Sequence, residues 1–234
     1  MIEAVFFDVG STLIDPYPEI DGVFCEVARS RGHAVDPAVV GAHMPAVHGF
    51  YEAEYLRDGD FWCSPVGSVE VYLDMYRYLS HLTGLEHDAE GIAHGVNELY
   101  CTPACWKPFD DTVSTLKALR AAHLRLGIVS NWSPNLTSLM RGLQFAPYFE
   151  EIISSADVGY RKPNPLIFTL ILERMGLSPD KALHVGDRPD ADGAGAAAAG
   201  IEPIIVDRHG KYTDCDYTRI TSLAELPDLI MRRK

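Results

Sequence analysis

The chain has 234 residues, 47% of them hydrophobic, and a formal net charge of −13, enough material for one large α/β domain or for a core domain that carries an insertion. The acidic balance argues against nucleic acid or an anionic membrane surface as the main partner, because both draw affinity from Lys/Arg clusters and the only such cluster, Arg232-Arg233-Lys234, reads as a solvated tail. No segment approaches the roughly 18 apolar residues of a membrane span, the start Met1-Ile2-Glu3 lacks a secretory pattern, and five cysteines without CxxC spacing read as reduced thiols, so a cytoplasmic location is expected.

The predicted elements begin with Ala4-Val5-Phe6-Phe7, an apolar run read as a buried strand that delivers Asp8 into the loop Val9-Gly10-Ser11-Thr12. A turn follows at Asp15-Pro16-Tyr17-Pro18. From about Asp21 to Cys101 the patterns are helical, with Phe24, Val27 and Ala28 spaced for one helix face and Val69, Tyr72, Met75, Tyr76 and Leu79 for another. This block is expected to be an all-helical insertion, in which Phe50, Tyr51, Tyr55, Phe61 and Trp62 either pack helices together or line a pocket. Cys101 and Cys105 stand one helical turn apart, without the two further partners a zinc site needs.

After Thr102-Pro103-Ala104, strands and helices alternate. Residues 110–123 are expected to be helical, 124–129 a strand, 135–143 a helix and 151–154 a short strand. A helix then opens at Pro163, a strand spans 182–185, an Ala/Gly helix runs to Gly200, and a strand covers 203–206. Ser222 and Glu225 have the spacing of a capping box before a last short helix. Such alternation implies parallel βαβ crossovers. The expected fold class is therefore α/β: a doubly wound, Rossmann-like parallel-sheet core from 1–16 and 103–234, with an all-helical domain inserted at 17–102.

In that architecture the carboxyl ends of the strands converge on one rim. Asp8, Ser130-Asn131 and Asp187 fall at those ends, and Asp192 opens the helix that follows. Lys162 lies in the loop before Pro163, which suits a first helical position. Taken singly, Ser130-Asn131 could be a helix cap, Lys162 a solvated lysine and Asp192 a helix N-terminal charge. Together they supply a potential nucleophile, a hydroxyl, a cation and carboxylates for a divalent metal, the parts that phosphoryl chemistry requires.

These motifs, in this order, resemble the haloacid dehalogenase-like hydrolase superfamily: Phe7-Asp8-Val9-Gly10-Ser11-Thr12, then Ile128-Val129-Ser130-Asn131, then Lys162-Pro163, then Gly186-Asp187 with Asp192. The resemblance implies that the helical insertion is a cap. It also implies that Asp8 is the nucleophile, that Ser130 and the Asn131 main-chain N–H hold a phosphoryl group, and that Lys162 steadies its charge. Asp8, Asp187 and the Gly10 carbonyl would hold Mg²⁺, with Asp192 nearby or bound through water. The expected substrate is a small phosphorylated metabolite.

One position departs from the pattern. Phosphatases of this family usually carry a second aspartate two residues after the nucleophile, as general acid and then base, where this chain has Gly10. A positioned acid/base contributes typically about 10²- to 10⁴-fold, so turnover is expected to be weak or selective for good leaving groups. Asp15 and His48 are the candidate substitutes. Two alternatives follow: a catalytically silent binding or regulatory protein, which Gly10 favours, and a metal-independent 2-haloacid dehalogenase, which Asp187 disfavours.

Overall fold

The computed structural model describes residues 1–232; Arg233 and Lys234 of the basic tail lie outside the described residues. Its strands are β1 (Ala4–Phe7), β2 (Ile14–Pro16), β3 (Trp106–Pro108), β4 (Arg125–Ser130), β5 (Glu151–Ser154), β6 (Ala182–Gly186), β7 (Glu202–Val206) and β8 (Thr218–Ile220). Six form one sheet in the order β5-β4-β1-β6-β7-β8, parallel throughout. Every residue of β1 is buried, as expected of a central parallel strand covered on both faces, which is why it reads as an unbroken apolar run.

Register sets the site. Phe7 pairs with Ile128 on one side and Val185 on the other, so the residues that follow these strands leave the sheet at the same rim. Strand order reverses between β1 and β6, and that reversal is the crevice where open α/β sheets bind ligands. The helix Pro165–Met175 is anchored beneath the sheet by Ile167, Phe168, Ile171 and Leu172, which pack with Phe6 and Val129. Full burial of one such side chain is worth about 1.5–3 kcal/mol.

The structure corrects several local expectations. The helix after Lys162 opens at Pro165, not Pro163: the Asn164 side chain caps it by accepting from the Leu166 N–H at 3.0 Å, and Pro165 takes the first helical position. Asp192 lies in a π-helical turn, Pro189–Gly193, ahead of the short α-helix Ala194–Ala198. Of the Ala-rich face, Ala196 is buried while Ala197 and Ala198 are exposed. The capping box at Ser222 and Glu225 forms as expected and precedes the helix Leu226–Met231.

Two compact units make up the chain, Met1–Asp15 with Pro108 onward, and Pro16–Lys107. The second contains the helices Ile20–Ser30, Pro37–Asp58, Gly67–Leu82 and Ala89–Tyr100 around a core that includes Phe24, Leu79, Ile92 and Val96. Its end falls at Lys107 and not at 102, because Cys105 is buried in that core and the Trp106 indole N–H donates to the Tyr100 carbonyl at 2.8 Å. The aromatics serve helix packing: Tyr55 and Trp62 are buried and Phe50 and Tyr51 pack against the unit's core, while Phe50 and Phe61 also line a cavity of ≈ 400 Å³ within the unit. Cys101 is exposed and Cys105 buried, and neither is in a disulfide.

Candidate active site

Asp8 leaves β1 with its backbone N–H donated to the Val185 carbonyl of β6 at 2.9 Å, which fixes the start of the loop. That loop is tight. Leu13 and Ile14 both donate to the Val9 carbonyl, at 2.9 and 3.1 Å, and Ser11 adopts φ 55 in the left-handed region. The Asp8 carboxylate is 7% exposed as a residue and accepts from three side chains. Ser130 Oγ at 2.9 Å and Lys162 Nζ at 2.6 Å donate to Oδ1, and Thr12 Oγ1 donates to Oδ2 at 3.4 Å.

Lys162 is almost wholly buried, and its ammonium bridges Asp8 Oδ1 and Asp192 Oδ1, both at 2.6 Å. Its backbone is clamped by Asn131: Asn131 Oδ1 accepts from the Lys162 N–H at 2.7 Å and Asn131 Nδ2 donates to the Lys162 carbonyl at 3.1 Å. A side-chain amide thus matches both polar groups of one peptide segment, as a neighbouring strand would. Burial acts to lower the Lys162 pKa, but the charges of Asp192 and Asp8 outweigh it and hold the amine protonated, above its ordinary range.

Asp192 accepts from protein donors at both oxygens. Besides Lys162, His184 Nε2 lies 2.8 Å from Oδ1, and the Arg188 N–H donates to Oδ2 at 3.0 Å. Gly186 makes room for this carboxylate, since a Cβ there would lie 2.1 Å from Asp192 Cγ. Burial alone would raise the Asp192 pKa; the Lys162 charge and the His184 hydrogen bond reverse that and hold it below the usual carboxylate range. His184 is fully buried and its Nδ1 has no partner among the described residues; burial lowers its pKa, against the pull of Asp192, and so favours the neutral ring.

Asp187 differs. Desolvation, followed by the charges of Asp8 and Asp192, pushes its pKa up to about 8, with Lys162 only partly offsetting them. Asp8, Asp187 and Asp192 each bring one oxygen within 4.8 Å of the others. Three carboxylates against one lysine leave excess negative charge, and that excess falls on Asp187. The donor set is all oxygen, which suits Mg²⁺ rather than a soft metal.

Of the residues expected from the sequence, Asp8, Ser130, Lys162 and Asp192 are joined by hydrogen bonds, Asn131 braces Lys162, and Asp187 completes the acidic cluster. Gly10 lies in the loop after Asp8 and does not adopt positive φ; a Cβ there would lie 3.4 Å from Trp132 Cζ3. Sequence reasoning missed His184, although a polar residue inside a buried strand was a signal. It also missed Arg208, whose guanidinium donates to the Thr12 carbonyl at 2.9 Å and pairs bidentately with Asp111 at 2.9 and 3.0 Å. Nothing in the sequence links residues that far apart.

Residues 2–200 match the haloacid dehalogenase-like hydrolase family. The chain is 28% identical over 229 residues to haloacid dehalogenase-like hydrolase domain-containing protein 3 of Danio rerio, with 95% of this chain and 94% of that protein covered. It is 30% identical to the glyceraldehyde 3-phosphate phosphatase of Methanothermobacter thermautotrophicus, with 98% and 100% covered. Among solved structures it is similar to a 2-haloacid dehalogenase of Pseudomonas syringae pv. Tomato DC3000, with 25% identity, a TM-score of 0.69 and 100% of both chains covered. In fold it is similar to the putative HAD-hydrolase YfnB of Bacillus subtilis bound to magnesium, with a TM-score of 0.80 at 20% identity and 98% of both chains covered. Sheet order, the rim constellation and the match over residues 2–200 agree, and the chain belongs to the haloacid dehalogenase-like hydrolases.

Proposed function

We propose that the protein is a Mg²⁺-dependent phosphohydrolase that acts on a small phosphorylated metabolite through an aspartyl phosphate at Asp8. The observation that carries this reading is the pairing of a donor-braced carboxylate, Asp8, with a second acid, Asp187, whose charge the protein leaves unrelieved. The phosphatase relatives support the same substrate class.

In the proposed reaction a carboxylate oxygen of Asp8 attacks phosphorus and the bond to the leaving oxygen breaks. Ser130 Oγ and Lys162 Nζ, which hold Asp8 Oδ1, are donors that phosphoryl oxygens can take over, with the Asn131 main-chain N–H as a third. Asp8, Asp187 and the Gly10 carbonyl would hold Mg²⁺, which when bound would supply the charge neutralisation an anionic nucleophile needs beside an anionic phosphoryl group. Asp192, nearby or bound through water, keeps Lys162 charged and in place. Water then hydrolyses the acyl phosphate and returns Asp8.

Gly10 supplies no proton to the leaving oxygen. The missing group is worth roughly 3–5 kcal/mol of barrier, so acyl and aryl phosphates, whose oxygens leave without protonation, are the preferred substrates. A panel of phosphate esters and acyl phosphates, assayed with and without Mg²⁺, tests the reading. Mg²⁺-dependent phosphate release is expected. Chloride release from 2-haloacids without metal would support dehalogenation instead, and phosphate binding without turnover would support the silent reading that Gly10 favours.

A further inference from the structure

Trp132 follows the Ser130-Asn131 pair and lies against Gly10, with Cζ3 at van der Waals distance, 3.4 Å, from where a Cβ of residue 10 would be. Residue 10 is the position from which the missing acid would serve the leaving group. The wall of the site at that point is therefore an indole instead of a carboxylate.

The residue is held once at its ring and twice at its backbone. Its Nε1–H donates to Asn135 Oδ1 at 3.1 Å, and that oxygen is itself fixed by Ser133 Oγ at 2.8 Å. The Trp132 backbone N–H donates to Ser155 Oγ at 3.1 Å, and its carbonyl accepts from Ser154 Oγ at 2.6 Å. The residue is only half-buried. An indole anchored at Nε1 on a half-buried residue can stack on a flat ligand with little loss of conformational freedom.

Two independent features thus select the same chemistry. The absence of a carboxylate at residue 10 favours a leaving oxygen that needs no proton, and an indole at the same point favours a leaving group that is flat and aromatic. We propose that Trp132 is a stacking platform for the aryl group of an aryl phosphate and sets the substrate class of this site. The proposal rests on the phosphohydrolase reading above.

Calorimetric binding of phenylphosphonate and methylphosphonate with Mg²⁺ tests it without turnover, because the C–P bond is not hydrolysed. The parent is expected to bind phenylphosphonate roughly 3- to 10-fold more tightly. That preference is expected to disappear in Trp132→Ala and persist in Trp132→Phe, each shown to be folded by its melting transition, while methylphosphonate affinity stays unchanged. Equal affinities in the parent, or a preference that survives Trp132→Ala, would overturn the platform alone if inorganic phosphate still binds. Failure of inorganic phosphate and both phosphonates to bind would overturn the phosphohydrolase reading and the platform with it.

Discussion

Without Mg²⁺, the protein's stability is expected to fall as pH rises from about 6.5 to about 8. Asp187 carries the effect, because burial and the neighbouring acids raise its folded pKa from 3.8 to about 8. Between those values the unfolded chain has released a proton that the folded chain retains, so stability drops by about 1.36 kcal/mol per pH unit; the contribution is complete below 3.8 and gone above about 8. His184 runs the other way: burial lowers its pKa from 6.5, so its contribution is complete above 6.5 and lost as pH falls. Lowered Asp192 and raised Lys162 titrate outside this range. Of these four groups only Asp187 is shifted so as to lose stability from 6.5 to 8, and the loss is about 2 kcal/mol, or roughly 4–8 °C in melting temperature for a chain of this size. Calorimetric melts at half-unit pH steps in EDTA and in Mg²⁺ provide the assay. Mg²⁺ should flatten the slope by holding Asp187 ionised, and Asp187→Asn should flatten it without metal. A metal-free melting temperature that is level or rising over this range, or an Asn variant that keeps the parent's slope, would refute the reasoning.

Asp8→Asn is expected to abolish turnover and beryllium fluoride trapping while leaving the melting transition in place, since the amide matches the carboxylate in shape but cannot attack phosphorus; full activity would remove Asp8 as nucleophile. Asp187→Ala should weaken Mg²⁺ binding at least 10-fold in a calorimetric titration, and unchanged affinity would take Asp187 out of the metal site. Lys162→Met removes the cation between Asp8 and Asp192, and breaking a buried pair of this kind costs about 3–5 kcal/mol; a denaturant midpoint within error of the parent would contradict it. Gly10→Asp should raise kcat/KM on alkyl phosphates about 10²-fold and on aryl phosphates far less. Gly10 lacks positive φ, and a Cβ there would meet Trp132 Cζ3 at 3.4 Å, ordinary van der Waals distance. A folded variant without selective gain would mean that the proton is already supplied.

Much of the site could be read in the sequence because each of its residues stands beside a strong local signal. Asp8 and Ser130 end buried apolar runs, Asp187 follows the Gly186 that closes β6, and Lys162 precedes a proline. What could not be read depends on choices between equally good local signals. Pro163 and Pro165 are both acceptable helix openings, and the Asn164 cap decides for Pro165. The strands Ile14–Pro16, Trp106–Pro108 and Thr218–Ile220 are too short for alternation to register, and only their neighbours define them.

The two acids of the last motif make the deeper point, because the sequence presents them alike and the fold treats them oppositely. Asp192 lies where Gly186 leaves space, and it meets Lys162, His184 and the Arg188 N–H, so its charge is answered within the protein. Asp187, five residues earlier, receives the repulsion of both neighbouring carboxylates and is held toward its neutral form. A carboxylate already satisfied has little to offer a cation, whereas one kept from ionising by its surroundings gains most when a cation arrives. The two acids therefore differ: Asp192 is bonded to the lysine, whereas desolvation and its acidic neighbours hold Asp187 toward its neutral form. That difference follows from packing around residue 186, where any side chain would push Asp192 away from Lys162 and expose the same unrelieved charge at both positions.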